Sequence, residues 1–222
     1  LNNGRRTSQV SRGSGLRWLV ALAVALLAAA AVLVWVGWPR VEDEPAPEPA
    51  PFVVDAAAPT PTVDPTVKPA SAVLEIPTLG IRAPFGAGAV VAKQLRIPSD
   101  SAELTIYDRG AVPCASEGTV LLAGHVVAYG VHGALWDLHR VRGNELVYTG
   151  CQDGSTAVWR VVEVRVERKR DLPQDIFTDA GDPRLVIVTC GGPIVTDEDG
   201  DRVHRDNVIV YAEPVAVDQA SK

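Results

Sequence analysis

Apolar and polar positions divide this chain into three unlike stretches. From Trp18 to Trp38 there is no charged residue, and Leu, Ala and Val dominate. At about 1.5 Å per helical residue the run spans roughly 30 Å, the thickness of a bilayer's hydrocarbon core. Trp18, Trp35 and Trp38 sit near its ends, where amphipathic rings favour the interface. This pattern predicts one transmembrane helix over residues 18–38. It is longer than a signal-peptide core, and no sharp small-x-small site precedes a polar start, so it reads as an uncleaved anchor. Residues 39–72 hold nine prolines among Ala, Thr, Val and acids. On its own such a stretch cannot bury enough to fold and prefers an extended polyproline-like path. A disordered stalk is expected there, with a reach on the order of 100 Å.

From about residue 73 the pattern changes to short β-type runs separated by Gly, Pro and Asp. The candidate strands are 72–76, 80–85, 94–97, 118–123, 145–149, 157–167, 185–189 and 208–212. In 157–167, Val162, Val164 and Val166 alternate with Glu163, Arg165 and Glu167, the signature of a half-buried antiparallel strand. Only Ala134 to Val141 looks helical. Eight short strands with little helix predict an all-β closed barrel or sandwich over 73–217, followed by a tail at 218–222.

Charge adds direction. Arg5, Arg6, Arg12 and Arg17 precede the apolar run with no acids among them, while Arg40 is followed by Glu42, Asp43 and Glu44. Residues 1–17 therefore read as a cytoplasmic basic tail, with the folded domain outside the membrane. The whole chain has a net charge of −6, and past the four N-terminal arginines acids outnumber bases. No basic stripe is present, so nucleic acid is an unsupported partner. Three cysteines are too few for a disulfide scaffold and fit no zinc-ligand spacing. Neither a metal nor another cofactor is expected. Asp197, Glu198, Asp199 and Asp201 lack the full calcium-loop pattern and read as a solvated turn.

The candidate chemistry lies at strand ends. In Arg184-Leu-Val-Ile-Val-Thr-Cys190-Gly-Gly192 an apolar run delivers a thiol to the point where two glycines open the backbone. In Thr119-Val-Leu-Leu-Ala-Gly-His125 a second apolar run ends at a Gly and an imidazole. In Arg205-Asp-Asn-Val-Ile-Val-Tyr-Ala212 a guanidinium precedes a third. Singly, each has a bland reading: a core Cys, a structural His, a solvated Arg. Together they form a chemical set. A thiolate attacks, an imidazole holds or accepts its proton, and an Arg donates to the oxyanion. Thr189, Gly191 and Gly192 are supporting candidates for substrate binding. His132, His139 and His204 read as loop or surface residues.

On these residues the chain resembles a sortase. Leu-Ala-Gly-His125, Ile-Val-Thr-Cys190-Gly-Gly and Arg205-Asp-Asn-Val-Ile-Val-Tyr-Ala carry the likeness, with echoes in Leu74-Glu-Ile-Pro-Thr-Leu-Gly-Ile, Leu95-Arg-Ile-Pro-Ser-Asp and Gly133-Ala-Leu-Trp-Asp-Leu. It looks most like the class F sortases of actinobacteria, with class E as the nearest alternative. The resemblance implies an eight-stranded β-barrel with short helices in its loops, and a cysteine transpeptidase of the cell wall. It implies that Cys190 attacks the Thr–Gly bond of a Leu-Pro-x-Thr-Gly-like sorting signal and that His125 is its proton partner. Arg205 would hold the oxyanion or the substrate backbone. The implied partners are sorting-signal peptides of secreted proteins and an amine acceptor such as a cell-wall precursor. A wall-acting L,D-transpeptidase keeps its His and Cys in one compact motif, unlike this chain. The non-enzymatic alternative is a stalked β-barrel binding or adhesion module whose Cys is structural.

Two features depart from the resemblance. In many sortases the Arg stands where this chain has Asn207, and Arg205 comes two residues earlier. Positions two apart on a strand face the same side, so a long Arg side chain still reaches toward the thiol. Cys114 and Cys151 lie in turns. In an oxidising exterior these two can pair and leave Cys190 free.

Overall fold

The computed structural model describes residues 45–91 and 94–215. The basic tail, the expected membrane helix at 18–38 and the tail at 218–222 lie outside the described residues. Among the described residues no helix is long and apolar enough to cross a membrane.

Eight strands close on one another: β1 (Val73–Ile76), β2 (Ile81–Gly88), β3 (Leu104–Tyr107), β4 (Thr119–Gly124), β5 (Leu146–Gly150), β6 (Thr156–Arg168), β7 (Arg184–Thr196) and β8 (Arg202–Pro214). Their order around the barrel is β5-β1-β2-β3-β4-β7-β8-β6, and β6 returns to pair with β5. The β2–β3 and β4–β7 pairs are parallel and the others antiparallel. The helical expectation at 134–141 becomes a single 3-10 stretch, Trp136–Arg140.

Alternation fills the barrel. Leu74, Ile76, Leu104, Leu122, Trp159, Leu185, Ile187, Val208 and Val210 pack inside it. The intervening residues Leu121, Val186, Ile209 and Tyr211 form a second cluster on the outer face of β4, β7 and β8. Leu172, Ile176 and Phe177, from the connection between β6 and β7, cover that cluster. These three strands are thus buried on both faces, which is why they read as continuous apolar runs rather than as alternation. The Trp159 indole N–H is satisfied in the core by Thr149 Oγ1 at 2.8 Å.

The structure differs from the sequence expectation in four places. First, the expected strand at 94–97 is not part of the barrel, since Gln94–Leu95 pairs with Val90–Val91 in a separate hairpin; its place is taken by β3, whose Leu-Thr-Ile-Tyr is too short to show a period. Second, a bulge between Val161 and Glu163 shifts the register of β6. Val162 therefore packs on the outer cluster while Val164 points inside, although the two are only two positions apart. Third, β7 does not stop at Thr189. It runs on through Cys190 and both glycines to Thr196, because β8 supplies partners on the far side of a second bulge between Gly191 and Ile194.

Fourth, residues 45–72 do not stand away from the barrel as a stalk. Phe52–Val53 pairs with β6, and the Val54 N–H donates to the Val162 carbonyl at 2.7 Å. The Asp64 N–H donates to the Tyr148 hydroxyl at 3.1 Å, and Ala46, Pro49 and Pro69 are buried. A Pro-rich segment cannot make a core of its own, but the barrel provides one to lie against. Extended backbone suits an otherwise open stretch of β6.

Cys114 and Cys151 are joined in a disulfide that bridges the β3–β4 connection and the end of β5, across a sequence separation of 37. Closing a loop of that length stabilises by about 3–4 kcal/mol in the chain-entropy account. The double variant C114A/C151A is expected to lose about 2–4 kcal/mol of unfolding free energy in urea, while titration of the oxidised wild type in denaturant finds one thiol, that of Cys190. Three titratable thiols would remove the bridge.

Candidate active site

The parallel register between β4 and β7 brings the predicted residues together. Arg184 lies opposite Thr119 and Val188 opposite Ala123. Carried two residues further, the same register sets Cys190 beside His125, which directly follows β4. Adjacent strands lie about 4.8 Å apart, so thiol and imidazole spring from neighbouring backbone positions on one face. Two bonds pin the register. At the lower end the Arg184 Nε–H donates to Thr119 Oγ1 at 2.8 Å. At the upper end the Thr189 hydroxyl donates to the Gly124 carbonyl at 3.0 Å.

That second bond also accounts for the Thr189 side chain. The side chain is 4% exposed and faces the barrel interior, one position out of phase with Cys190. It positions the strand ends and does not face the thiol's side. Cys190 is the free cysteine and is half-buried, unlike Cys151, which is 2% exposed.

His125 is held from two sides. Its Nε2 lies 2.9 Å from the Pro98 carbonyl oxygen. A carbonyl only accepts, so Nε2 carries the proton and the neutral ring keeps its lone pair on Nδ1. Behind it, the Leu135 N–H donates to the His125 carbonyl at 3.2 Å. Gly133 approaches so closely that a Cβ there would collide with that same carbonyl. His132 is at the surface, as expected, and its ring stacks on Trp136 with centroids 3.6 Å apart.

On the other side of β7 the antiparallel register sets Asn207 of β8 opposite Cys190 and Asp206 opposite Gly191. Arg205 is inside β8, two residues from Asn207 and on the same face. Its guanidinium is committed to its neighbour, with Nε 2.9 and 2.8 Å from the two oxygens of Asp206. These bonds, first among several causes, hold the Asp206 carboxyl below its ordinary value against a burial that acts the other way. His204, expected at the surface, is half-buried opposite Ile194 with Nδ1 3.2 Å from the Gly192 carbonyl.

The N-terminal segment reaches this same place. Ala46 bridges to Gly192, whose N–H donates to the Ala46 carbonyl at 3.1 Å. Gly192 has φ +73°, and a Cβ there would come within 2.6 Å of Asp206 Oδ2 and 2.8 Å of Glu48 Oε1. Only glycine fits that crowded left-handed position. The Glu48 carboxyl is pushed above its ordinary value, first by burial and then by the charge of Asp206 and a hydrogen bond shared with it, while Arg205 pulls the other way. The roles of Glu48, Asp206 and the Pro98 carbonyl were not readable in the sequence. They arise from contacts between segments far apart in the chain, or from backbone atoms.

A cleft of about 610 Å³ is lined by Pro49, Phe52, Leu79, Arg140, Arg142 and Glu145 among others, and by none of Cys190, His125 or Arg205. Strand register, not that cleft, defines the site. The acids at 197–201 form a turn in which Asp197 Oδ1 accepts the Asp201 N–H at 2.8 Å.

A family model described as Sortase domain matches residues 74–215. Solved structures align over the same barrel. Sortase A from Corynebacterium diphtheriae, as a lid mutant, is 18% identical with a TM-score of 0.51, covering 70% of this chain and 75% of its own. Sortase C1 from Streptococcus suis is 14% identical with a TM-score of 0.52, covering 70% and 78%. The lid mutant of Streptococcus agalactiae sortase C1 is 13% identical with a TM-score of 0.52, covering 70% and 74%. At these identities the structural likeness is one of fold. No curated protein matches the chain.

The Glu48–Asp206 contact has a definite pH sign. Docking the segment raises the Glu48 pKa, so docking is strongest where Glu48 is protonated. It weakens as pH rises through that raised value, when two carboxylates then face each other beside Arg205, with Arg168 also bearing on Asp206. Hydrogen-exchange protection of the Gly192 amide is expected to fall in wild type as pH rises past the ordinary carboxylate range and through the raised Glu48 value, and to stay level in Glu48→Gln. A flat profile in wild type would contradict this.

Proposed function

The chain belongs to the sortase family and is a cysteine transpeptidase, and on that premise we propose that Cys190, His125 and Arg205 carry its chemistry on a Leu-Pro-x-Thr-Gly-like sorting signal. The observation that carries this reading is the shared register of β4 and β7, in which a part-exposed free thiol and an imidazole leave adjacent strands side by side.

In this reading His125 Nδ1 takes the Cys190 thiol proton, and the thiolate attacks the Thr carbonyl carbon of the signal. The carbonyl electrons move to oxygen, and donors beside the thiol hold the oxyanion. As the C–N bond breaks, His125 gives a proton to the leaving Gly amine, leaving a thioester on Cys190. An incoming amine then loses its proton to His125 and displaces the thiol. The Nε2–Pro98 bond serves both halves by keeping one ring nitrogen engaged and the other free to shuttle. Arg205 lies along the same face and binds the substrate backbone. Gly191 and Gly192 let that backbone approach closely.

The class F assignment rests on the motifs that contain His125 and Cys190 and on the stretch that begins at Arg205. The charge-free run 18–38, with arginines before it and acids after it, supports a single-pass protein whose catalytic domain is extracellular. Sorting-signal peptides of secreted proteins and an amine of the cell wall or of another protein are the corresponding partners.

The test uses the full chain in detergent, a fluorescent Leu-Pro-x-Thr-Gly peptide and an amine acceptor. Cleavage with transfer to the amine is expected in wild type. Cys190→Ala is expected to lose all of it and His125→Ala at least about 10²-fold in kcat. Absence of Cys190-dependent turnover across a peptide library would overturn the substrate assignment.

A further inference from the structure

The residue directly opposite the nucleophile is Asn207, not Arg205. Cys190 and Asn207 are Cα partners in the antiparallel β7–β8 pair. Directly opposed residues put their side chains on one face, with Cβ atoms about 4.5–5.5 Å apart. Alternation supports the same face. Val188 and Ile209, two pairs down, both pack on the outer cluster. His125, Cys190 and Asn207 thus form a row across three neighbouring strands, with the thiol in the middle.

Asn207 is nearly buried, at 9% exposure. Among the described residues no side-chain hydrogen bond involves its carboxamide, and it is not one of those with further contacts. Its polar atoms are not among the buried side-chain groups that lack a partner, so the carboxamide reaches solvent and is free to meet a substrate oxygen. Arg205 is in the opposite condition. Its Nε is taken by both oxygens of Asp206, and it stands two residues, roughly 6.6 Å, further along the strand.

We propose that Asn207 is a catalytic residue of this transpeptidase: its Nδ2–H donates to the oxyanion formed when Cys190 attacks a carbonyl, and Arg205, held by Asp206, is left to bind the substrate backbone. The chemical step is that of the proposed function, on which this inference rests. The thiolate forms the C–S bond, the carbonyl oxygen takes the electron pair, and the pair returns as the leaving group departs. Asn207 gains and loses no proton. As a neutral dipole it stabilises the negative oxygen without adding charge to the site.

The experiment separates this role from the identity of the substrate. Full-length wild type, Asn207→Ala, Asn207→Asp, Asn207→Ser and Arg205→Ala are acylated with p-nitrophenyl acetate, which puts an oxyanion at Cys190 without any sorting signal. Cys190→Ala provides the blank. In parallel, Cys190 is alkylated with iodoacetamide, a displacement that forms no oxyanion. The nitrophenolate burst is expected to slow by about 10²-fold in Asn207→Ala and at least as much in Asn207→Asp, whose carboxylate only accepts. Asn207→Ser keeps a donor and retains more. Alkylation stays within about threefold of wild type in Asn207→Ala, because no oxyanion needs holding. With peptide substrate, Arg205→Ala raises KM more than it lowers kcat. The proposal is overturned by a wild-type burst rate in Asn207→Ala, by a parallel fall in alkylation, which would mean that Asn207 only shapes the thiol's surroundings, or by a wild type with no Cys190-dependent burst. If the ester results hold while no peptide is turned over, the sorting-signal assignment fails and this role stands. Peptide turnover that survives Asn207→Ala sinks this role and leaves the assignment.

Discussion

One hydrogen-bonded register governs the site: the parallel pairing of β4 with β7. In a parallel pair both carboxyl ends reach the same rim, so two distant segments can present their terminal residues side by side. The period of a strand is two, so a slip of one residue would turn Cys190 to the face now held by Thr189. The structure guards against that slip at both ends. The Arg184–Thr119 bond fixes one, and the Thr189–Gly124 bond fixes the other. Between them Leu185, Val186 and Ile187 are wholly buried in two different clusters, so slipping would exchange the inner and outer cores. The chemistry is aimed by packing well away from it.

Much of this was readable in the chain. The apolar runs that end at Gly124 and Thr189, and the one that begins at Val208, read as buried strands, because burial on both faces leaves no polar alternation to confuse them. The Cys, His and Arg near their ends were legible for the same reason. Other features were hidden by their physics. A bulge adds one residue without a composition signal, so the reversal of facing between Val162 and Val164 could not be read, nor the continuation of β7 past Gly192. The packing of 45–72 was hidden because proline content reports what a segment cannot bury by itself. It says nothing of a neighbouring sheet with room along β6. Pro98 acts through a backbone carbonyl, which no side-chain motif encodes.

Charge at the site is arranged in a chain of partners. Arg205 is neutralised by Asp206, and Asp206 in turn shares a hydrogen bond with Glu48, whose carboxyl is pushed up by burial and by that neighbour. The cation therefore does not face the thiol as a bare charge. Its field is largely spent on a carboxylate that is 3% exposed. A guanidinium so engaged can still order a peptide backbone through its outer N–H groups, but it is poorly disposed to follow charge developing two residues away. The amide opposite the thiol has no such commitment, and in the roles proposed for them the two positions divide what a single Arg would otherwise do.

The N-terminal segment enters the same accounting through one donor. The Gly192 N–H is among the backbone groups closest to Cys190 in sequence, and Ala46 occupies it. A substrate backbone that used that N–H would have to displace Ala46, and with it the Glu48 contact that crowds Gly192. Both contacts are short-range and one is titratable, so this tip of the segment is held at Gly192 by terms small enough to be exchanged, while Phe52–Val53 stays paired with β6. Asn207, by contrast, lies within the barrel's own register and stays opposite the thiol whether Ala46 is docked or not. The donor built into the sheet is fixed, and the donor on the bulge is shared. A substrate backbone bound as proposed would thus be coupled to the path of a segment far upstream in the sequence, while the Cys190–Asn207 register would not.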